Sequence, residues 1–217
     1  MKKVALLLAG CGVYDGSEIY ESVLTMLSLE NHDASYQCFA PDIEQMHVIN
    51  HLSGEVAEGE RRNVLVESAR LARGRVKNLN EANIADFDAV IVPGGFGVAK
   101  NLSDFAVNGA EMNVLPEVLS FIQAMHGAAK PVGLICIAPT MAARIFGSGV
   151  KCTIGSDADT AAAITAMGGN HQVCAVDEVC IDKDMKLVTT PAYMVAGSIA
   201  EAARGINRCV REVLSLA

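Results

Sequence analysis

The chain has 217 residues, 51% of them hydrophobic and only 19% charged, which excludes wholesale disorder and suits one large domain over 1–217. Seventeen basic against twenty-five acidic side chains give a net charge of −8 with no basic run to offset it, so nucleic acid and anionic membrane surfaces are excluded as partners. No apolar stretch approaches the ~20 residues of a membrane span, and seven cysteines without a CxxC pair or Cys/His ligand spacing read as reduced thiols of a cytoplasmic protein with no structural metal.

Lys2-Lys3, an apolar run and then Gly10-Cys11 imitate the start of an exported lipoprotein. The apolar core is shorter than the ~7–15 residues an export signal needs, so residues 4–8 are read as a buried first strand. Residues 10–16 form a glycine loop. A helix over 18–29 follows, capped by Ser17 or Asp15, with Ile19, Val23, Met26 and Leu27 on its inner face. A second strand covers 35–40. Residues 42–60 are polar and irregular, a hairpin or a surface excursion. Helices are expected at 63–73 and 81–87, and a third strand at 88–92 runs into Pro93-Gly94-Gly95.

Further on, a helix covers 115–129 and an entirely apolar strand 131–135, expected at the centre of the sheet. A helix restarts near Pro139. A strand at 152–154, a helix at 158–167, strands at 173–175, 179–181 and 187–190, a turn at 182–184 and a last helix at 197–214 complete the pattern. Strands alternate with helices throughout, which is an α/β domain built on a mostly parallel sheet.

Ligands of such a sheet bind beyond the carboxyl ends of its strands. Three of those ends carry unusual residues: 10–18, 93–97 and 136–139. In Gly133-Leu134-Ile135-Cys136-Ile137-Ala138-Pro139 a strand delivers a cysteine into a tight turn before a helix, the mechanics of a nucleophile elbow. Strained backbone is expected at Cys136, and the helix start is expected to lower its pKa. A core cysteine at the end of an apolar strand fits the same spacing, so both readings stand. Gly94 and Gly95, with the amide of Ile137, offer N–H groups for an oxyanion hole; a turn needing only glycine flexibility is the alternative. Glu18 opens the first helix, either as a cap or as an acid–base partner of Cys136.

Gly10-x-Gly12-x-x-x-Gly16 is a dinucleotide fingerprint one residue too long, with Asp42 at the ribose position. Glu18 would repel a pyrophosphate there, so no cofactor is expected. No histidine closely follows Cys136, and the five read as surface residues, with His126 facing away from the site.

Taken together, GCGVYDGSEIYE, VINHLSGE, RNVLVESARLARG, IVPGGFGVAKNL, ICIAP, TIGSDADT and LVTTPAYM resemble the ElbB family of the PfpI-like class I glutamine amidotransferase-like superfamily. The resemblance implies a flavodoxin-like three-layer sandwich, helices on both faces of the sheet, and a homodimer. It carries the nucleophile to Cys136, its neighbouring carboxyl to Glu18 and the oxyanion-hole amides to Gly95 and Ile137. It further implies a cofactor-independent glyoxalase activity on small 2-oxoaldehydes and a link to isoprenoid biosynthesis. The superfamily's usual histidine, one strand beyond the cysteine, is missing from Cys152-Thr153-Ile154-Gly155-Ser156-Asp157, which counts against amidotransferase or protease chemistry. The rival is a non-enzymatic redox or stress-responsive protein with Cys136 as its sensor.

Overall fold

A computed structural model describes all 217 residues. The elements are β1 (Lys3–Leu7), α1 (Ile19–Asn31), β2 (Ser35–Ala40), β3 (Ile49–Asn50), β4 (Glu55–Val56), α2 (Val64–Leu71), β5 (Val76–Asn78) and β6 (Ala89–Val92). They continue with α3 (Phe105–Asn108), α4 (Pro116–Gly127), β7 (Val132–Ile135), α5 (Ala142–Phe146), β8 (Lys151–Cys152), α6 (Ala158–Ala166), β9 (Asn170–His171), β10 (Cys180–Asp182), β11 (Leu187–Thr190) and α7 (Ile199–Leu216).

Seven strands form one sheet in the order β10-β11-β7-β6-β1-β2-β5. All neighbours pair parallel except β10 with β11. The apolar runs explain the centre: every residue of β6 and β7 is buried, as parallel strands covered on both faces must be. Helices cover both faces, giving the flavodoxin-like sandwich. Helix α7 lies along β7 and β11 and packs on α1, and α4 lies against β6 and β7.

Of the two readings of residues 42–60, the hairpin holds, β3 with β4. Other expectations are corrected. The helix expected at 81–87 is two short 3₁₀ turns, Leu79–Glu81 and Ile84–Asp86, held by the Asn78 and Asn83 side chains. The strand expected at 173–175 is absent, and β9 lies earlier, pairing with β8 in a separate small sheet. Edge strand β5 and a π-helical turn at Val98–Leu102 were not anticipated.

The largest correction concerns α1. Its cap is Glu18, whose side chain accepts from the Glu21 amide; Ser17 Oγ instead accepts from Ala9 N–H, and Asp15 Oδ2 from Ile49 N–H. The face turned inward is largely polar: Glu21, Ser22, Thr25 and Ser28 are buried with Met26 and Leu29, while Ile19, Val23 and Leu27 are exposed. The hydroxyls of Ser22 and Thr25 bond back to the carbonyls of Glu18 and Glu21, and Ser28 reaches Asn207 on α7. Buried polar groups that satisfy one another in this way cost little.

Candidate active site

The glycine loops at the ends of β1 and β6 are stitched together by backbone bonds. Glu18 N–H donates to Gly94 O, Phe96 N–H to Val13 O, and Gly97 N–H to Gly16 O. Asn101 locks the arrangement by donating to the carbonyls of Ala9 and Asp15. The third loop enters from β7, where Cys136 N–H donates to Thr190 O of the neighbouring strand. The sequence-predicted convergence of these loops is therefore present.

Cys136 has φ +63°. For a side-chain-bearing residue that conformation costs ~1–3 kcal/mol and persists only where the surroundings impose it. It turns the side chain up from the sheet, as the elbow spacing predicts. The amides of Gly95 and Ile137 lie by the sulfur and favour its thiolate. Gly95 needs its positive φ of +99° to aim that N–H. Gly94 does not join the oxyanion hole: its N–H donates to Glu21 Oε2 at 2.9 Å.

The carboxyl partner of the thiol is Glu21, one helical turn beyond Glu18. The Cys136 sulfur and the Glu21 carboxylate lie side by side, both against Gly94, and interact directly. Glu21 is fully buried (0% exposed), and its other oxygen accepts from Tyr193 N–H at 3.1 Å. Glu18 lies in the same pocket as Cys136, but its Oε2 is taken by the Glu21 amide at 2.6 Å. It holds the helix start, and with it Glu21, in place.

Electrostatics follow from burial. Desolvation, with the Glu18 charge adding to it, pushes Glu21 up to about 7, against the amides of Tyr193 and Gly94 and the bond from the Cys136 thiol. Burial and then the Glu21 charge raise the Cys136 thiol well above its ordinary range. The expected lowering by a helix start does not occur. A 3₁₀ turn (Ala138–Met141) follows the elbow before the five-residue α5, and its dipole does not offset a carboxyl in contact with the sulfur. The two groups titrate as a pair, and one proton stays between them above neutral pH. Burial also raises Glu18, partly offset by the amides it caps.

The pocket above the pair has a volume of about 600 Å³. The β3–β4 hairpin forms one wall through Ile49 and Gly54, and Phe96, Phe105, Tyr193 and Met194 form others. No histidine lines it. His126 packs edge-on against Phe146, His171 accepts from Ile154 N–H, and His51 accepts from Tyr14 N–H. Asp42, the ribose candidate, is engaged by Asn63 at the start of α2. No group of three or more His, Cys, Asp or Glu side chains is arranged to hold a metal ion.

No family model matches the chain. A human protein named glutamine amidotransferase-like class 1 domain-containing protein 3, mitochondrial, is 48% identical, covering 99% of this chain and 83% of that one. A rat protein named ES1 protein homolog, mitochondrial, is 47% identical over 99% and 84%. The crystal structure of an isoprenoid biosynthesis protein with an amidotransferase-like domain from Ehrlichia chaffeensis superposes with a TM-score of 0.93 at 37% identity, covering 100% of this chain and 99% of that one. Glyoxalase III from Candida albicans shares the fold alone, with a TM-score of 0.61 at 11% identity over 99% and 97%. The cytoplasmic placement expected from the cysteines does not stand, because both curated relatives are named as mitochondrial proteins and reduced thiols do not distinguish the two compartments. At these identities and over four fifths of each relative's length, the chain belongs to the ES1 family of class 1 glutamine amidotransferase-like proteins.

Proposed function

We propose that this protein is a cofactor-independent glyoxalase-type enzyme that converts glyoxal-like 2-oxoaldehydes to 2-hydroxy acids. The observation that carries the reading is the buried Cys136–Glu21 pair beneath the Gly95 and Ile137 amides, in a pocket without histidine. A hydrolase or amidotransferase needs a base that hands protons to a leaving group. A carboxyl poised near neutrality suits proton transfer between adjacent carbons instead.

In this mechanism Glu21 accepts the thiol proton as Cys136 sulfur adds to the aldehyde carbon, forming the C–S bond. The new alkoxide is held by the Gly95 and Ile137 amides and takes that proton, giving a hemithioacetal. Glu21 then removes the hydrogen of that carbon, and the electron pair forms the C=C bond of an enediolate whose negative oxygen is that of the neighbouring carbonyl. Glu21 returns its proton to the second carbon while the hydroxyl proton of the first carbon passes to the second oxygen, leaving the thioester of a 2-hydroxy acid. Water adds to the thioester, the C–S bond breaks, and the 2-hydroxy acid leaves with the thiol restored.

Purified protein supplied with glyoxal is expected to release glycolate, and Cys136→Ser to fall to the uncatalysed rate. Equal glycolate formation by Cys136→Ser would overturn the nucleophile. Absence of turnover in the wild type, with ready oxidation of Cys136, would favour the sensor role.

The homodimer belongs to the same proposal. Its support is the outward face of α1, where Ile19, Tyr20, Val23 and Leu27 are 42–50% exposed. Leu27→Asp is expected to convert a two-chain particle to a single chain in sedimentation, and an unchanged two-chain mass would remove α1 from the interface.

A further inference from the structure

The pocket is far larger than a two-carbon aldehyde requires. Its volume of about 600 Å³ falls in the ~300–1,000 Å³ range of sites that enclose a drug-sized ligand. Much of the wall is apolar, with Val13, Phe96, Phe105, Ala106 and Met194 prominent. A ligand that fills it needs an apolar body beyond the reacting carbonyls.

The polar groups of the lining differ in what they have left to offer. Glu18 is committed to capping α1, and Asp157 Oδ1 accepts from Thr160 N–H at the start of α6. Lys100 is the one cation that lines the pocket, and it forms no ion pair with any carboxylate. Its Nζ donates to Tyr14 O at 2.8 Å and lies 5.7 Å from the centre of the Phe96 ring. An ammonium has three donors, so two remain. The residue sits in the π-helical turn Val98–Leu102, a local geometry that occurs often at functional sites. Burial lowers its pKa, with the nearby Asp15 charge opposing, the mark of an ammonium partly stripped of water. Such a cation gains most from an anion that fills its remaining donors. Its neighbours are Tyr14 and Phe96, whereas those of Cys136 are Glu21, Gly95 and Ile137. Both line the one pocket, so one ligand can meet the two groups at different points.

We propose that Lys100 binds an anionic group of the substrate, so that the class of molecule taken is a 2-oxoaldehyde joined through an apolar body to a carboxylate. This deepens the glyoxalase reading and rests on Cys136 as the aldehyde nucleophile. Lys100 also ties the 10–16 loop to the π turn through Tyr14 O, and a purely structural role would affect charged and neutral ligands alike.

The test compares 4-carboxyphenylglyoxal with phenylglyoxal on the full chain. Wild type is expected to favour the carboxylated compound in kcat/KM by about tenfold, the scale of one charge-assisted contact. Lys100→Met is expected to bring that ratio close to one, and Lys100→Arg to retain most of it. In parallel, 3-phenylpropanoate and its neutral amide are compared as protectants of Cys136 against iodoacetamide, a readout that needs no turnover. Selective protection by the carboxylate in wild type, lost in Lys100→Met, supports the assignment even if neither aldehyde is turned over, in which case only the glyoxalase reading fails. A wild-type ratio near one with equal protection by the two probes, or a preference that survives Lys100→Met, overturns it.

Discussion

Glu21→Gln is expected to lower aldehyde turnover by ~10²–10⁴-fold, the usual contribution of a positioned acid–base group. Glu18→Gln is expected to stay within about tenfold of wild type, because a glutamine carbonyl can still accept the Glu21 amide and preserve the cap. The contrast separates two carboxyls only one helical turn apart. In Glu21→Gln the amide nitrogen must also face one of two donors, Gly94 N–H or Tyr193 N–H. One buried donor then loses its acceptor, and a destabilisation of ~1–3 kcal/mol is expected alongside the catalytic loss. Kinetics at a temperature where circular dichroism shows each variant folded check both parts. Equal losses from the two substitutions would mean that Glu18 shares the chemistry.

Gly94→Ala is expected to disable the site without touching a reacting group. Gly94 does not have positive φ, so its backbone would accept alanine; what matters is the space a Cβ would occupy. That atom would collide with the Cys136 Cβ, stand 2.6 Å from Glu21 Oε2 and 3.0 Å from the Cys136 sulfur. All three belong to a buried, hydrogen-bonded unit that cannot yield cheaply. The expected cost is ~1–3 kcal/mol of stability, typical of overpacking. The thiol and carboxyl are pushed apart, and turnover is expected to fall at least as far as in Glu21→Gln. Thermal melting and turnover measured on the same preparation check it. A Gly94→Ala protein with normal melting and normal turnover would contradict the close packing of the pair.

These two variants also mark where the sequence was informative. The apolar runs of β1, β6 and β7 announced a buried sheet, because parallel strands covered on both faces are hydrophobic nearly throughout. The elbow at Cys136 was legible because strand, cysteine and proline are adjacent in the chain. Glu21 was not, although it stands three residues after Glu18 and so near the same helical face. The ordinary rule that apolar side chains point inward assigned Ile19, Val23 and Leu27 to the core and drew no attention to Glu21. In the folded chain α1 is turned the other way, since Glu21 finds its donors on Gly94 and Tyr193. Those partners lie 73 and 172 residues away, and no local pattern announces them. The same distance hid the fate of the Gly94 amide, which Glu21 occupies.

The one-proton pair of Cys136 and Glu21 is tested most directly by the pH dependence of Cys136 alkylation by iodoacetamide, followed by peptide mapping. In wild type the rate is expected to rise through an inflection near 7, where Glu21 loses its proton and becomes able to accept that of the thiol. Glu18→Gln removes a charge that raises the Glu21 pKa, so its inflection is expected to move to lower pH. In Glu21→Gln the inflection is expected to vanish, leaving only the ionisation of an isolated thiol. An unchanged inflection near 7 in Glu21→Gln would contradict the pairing.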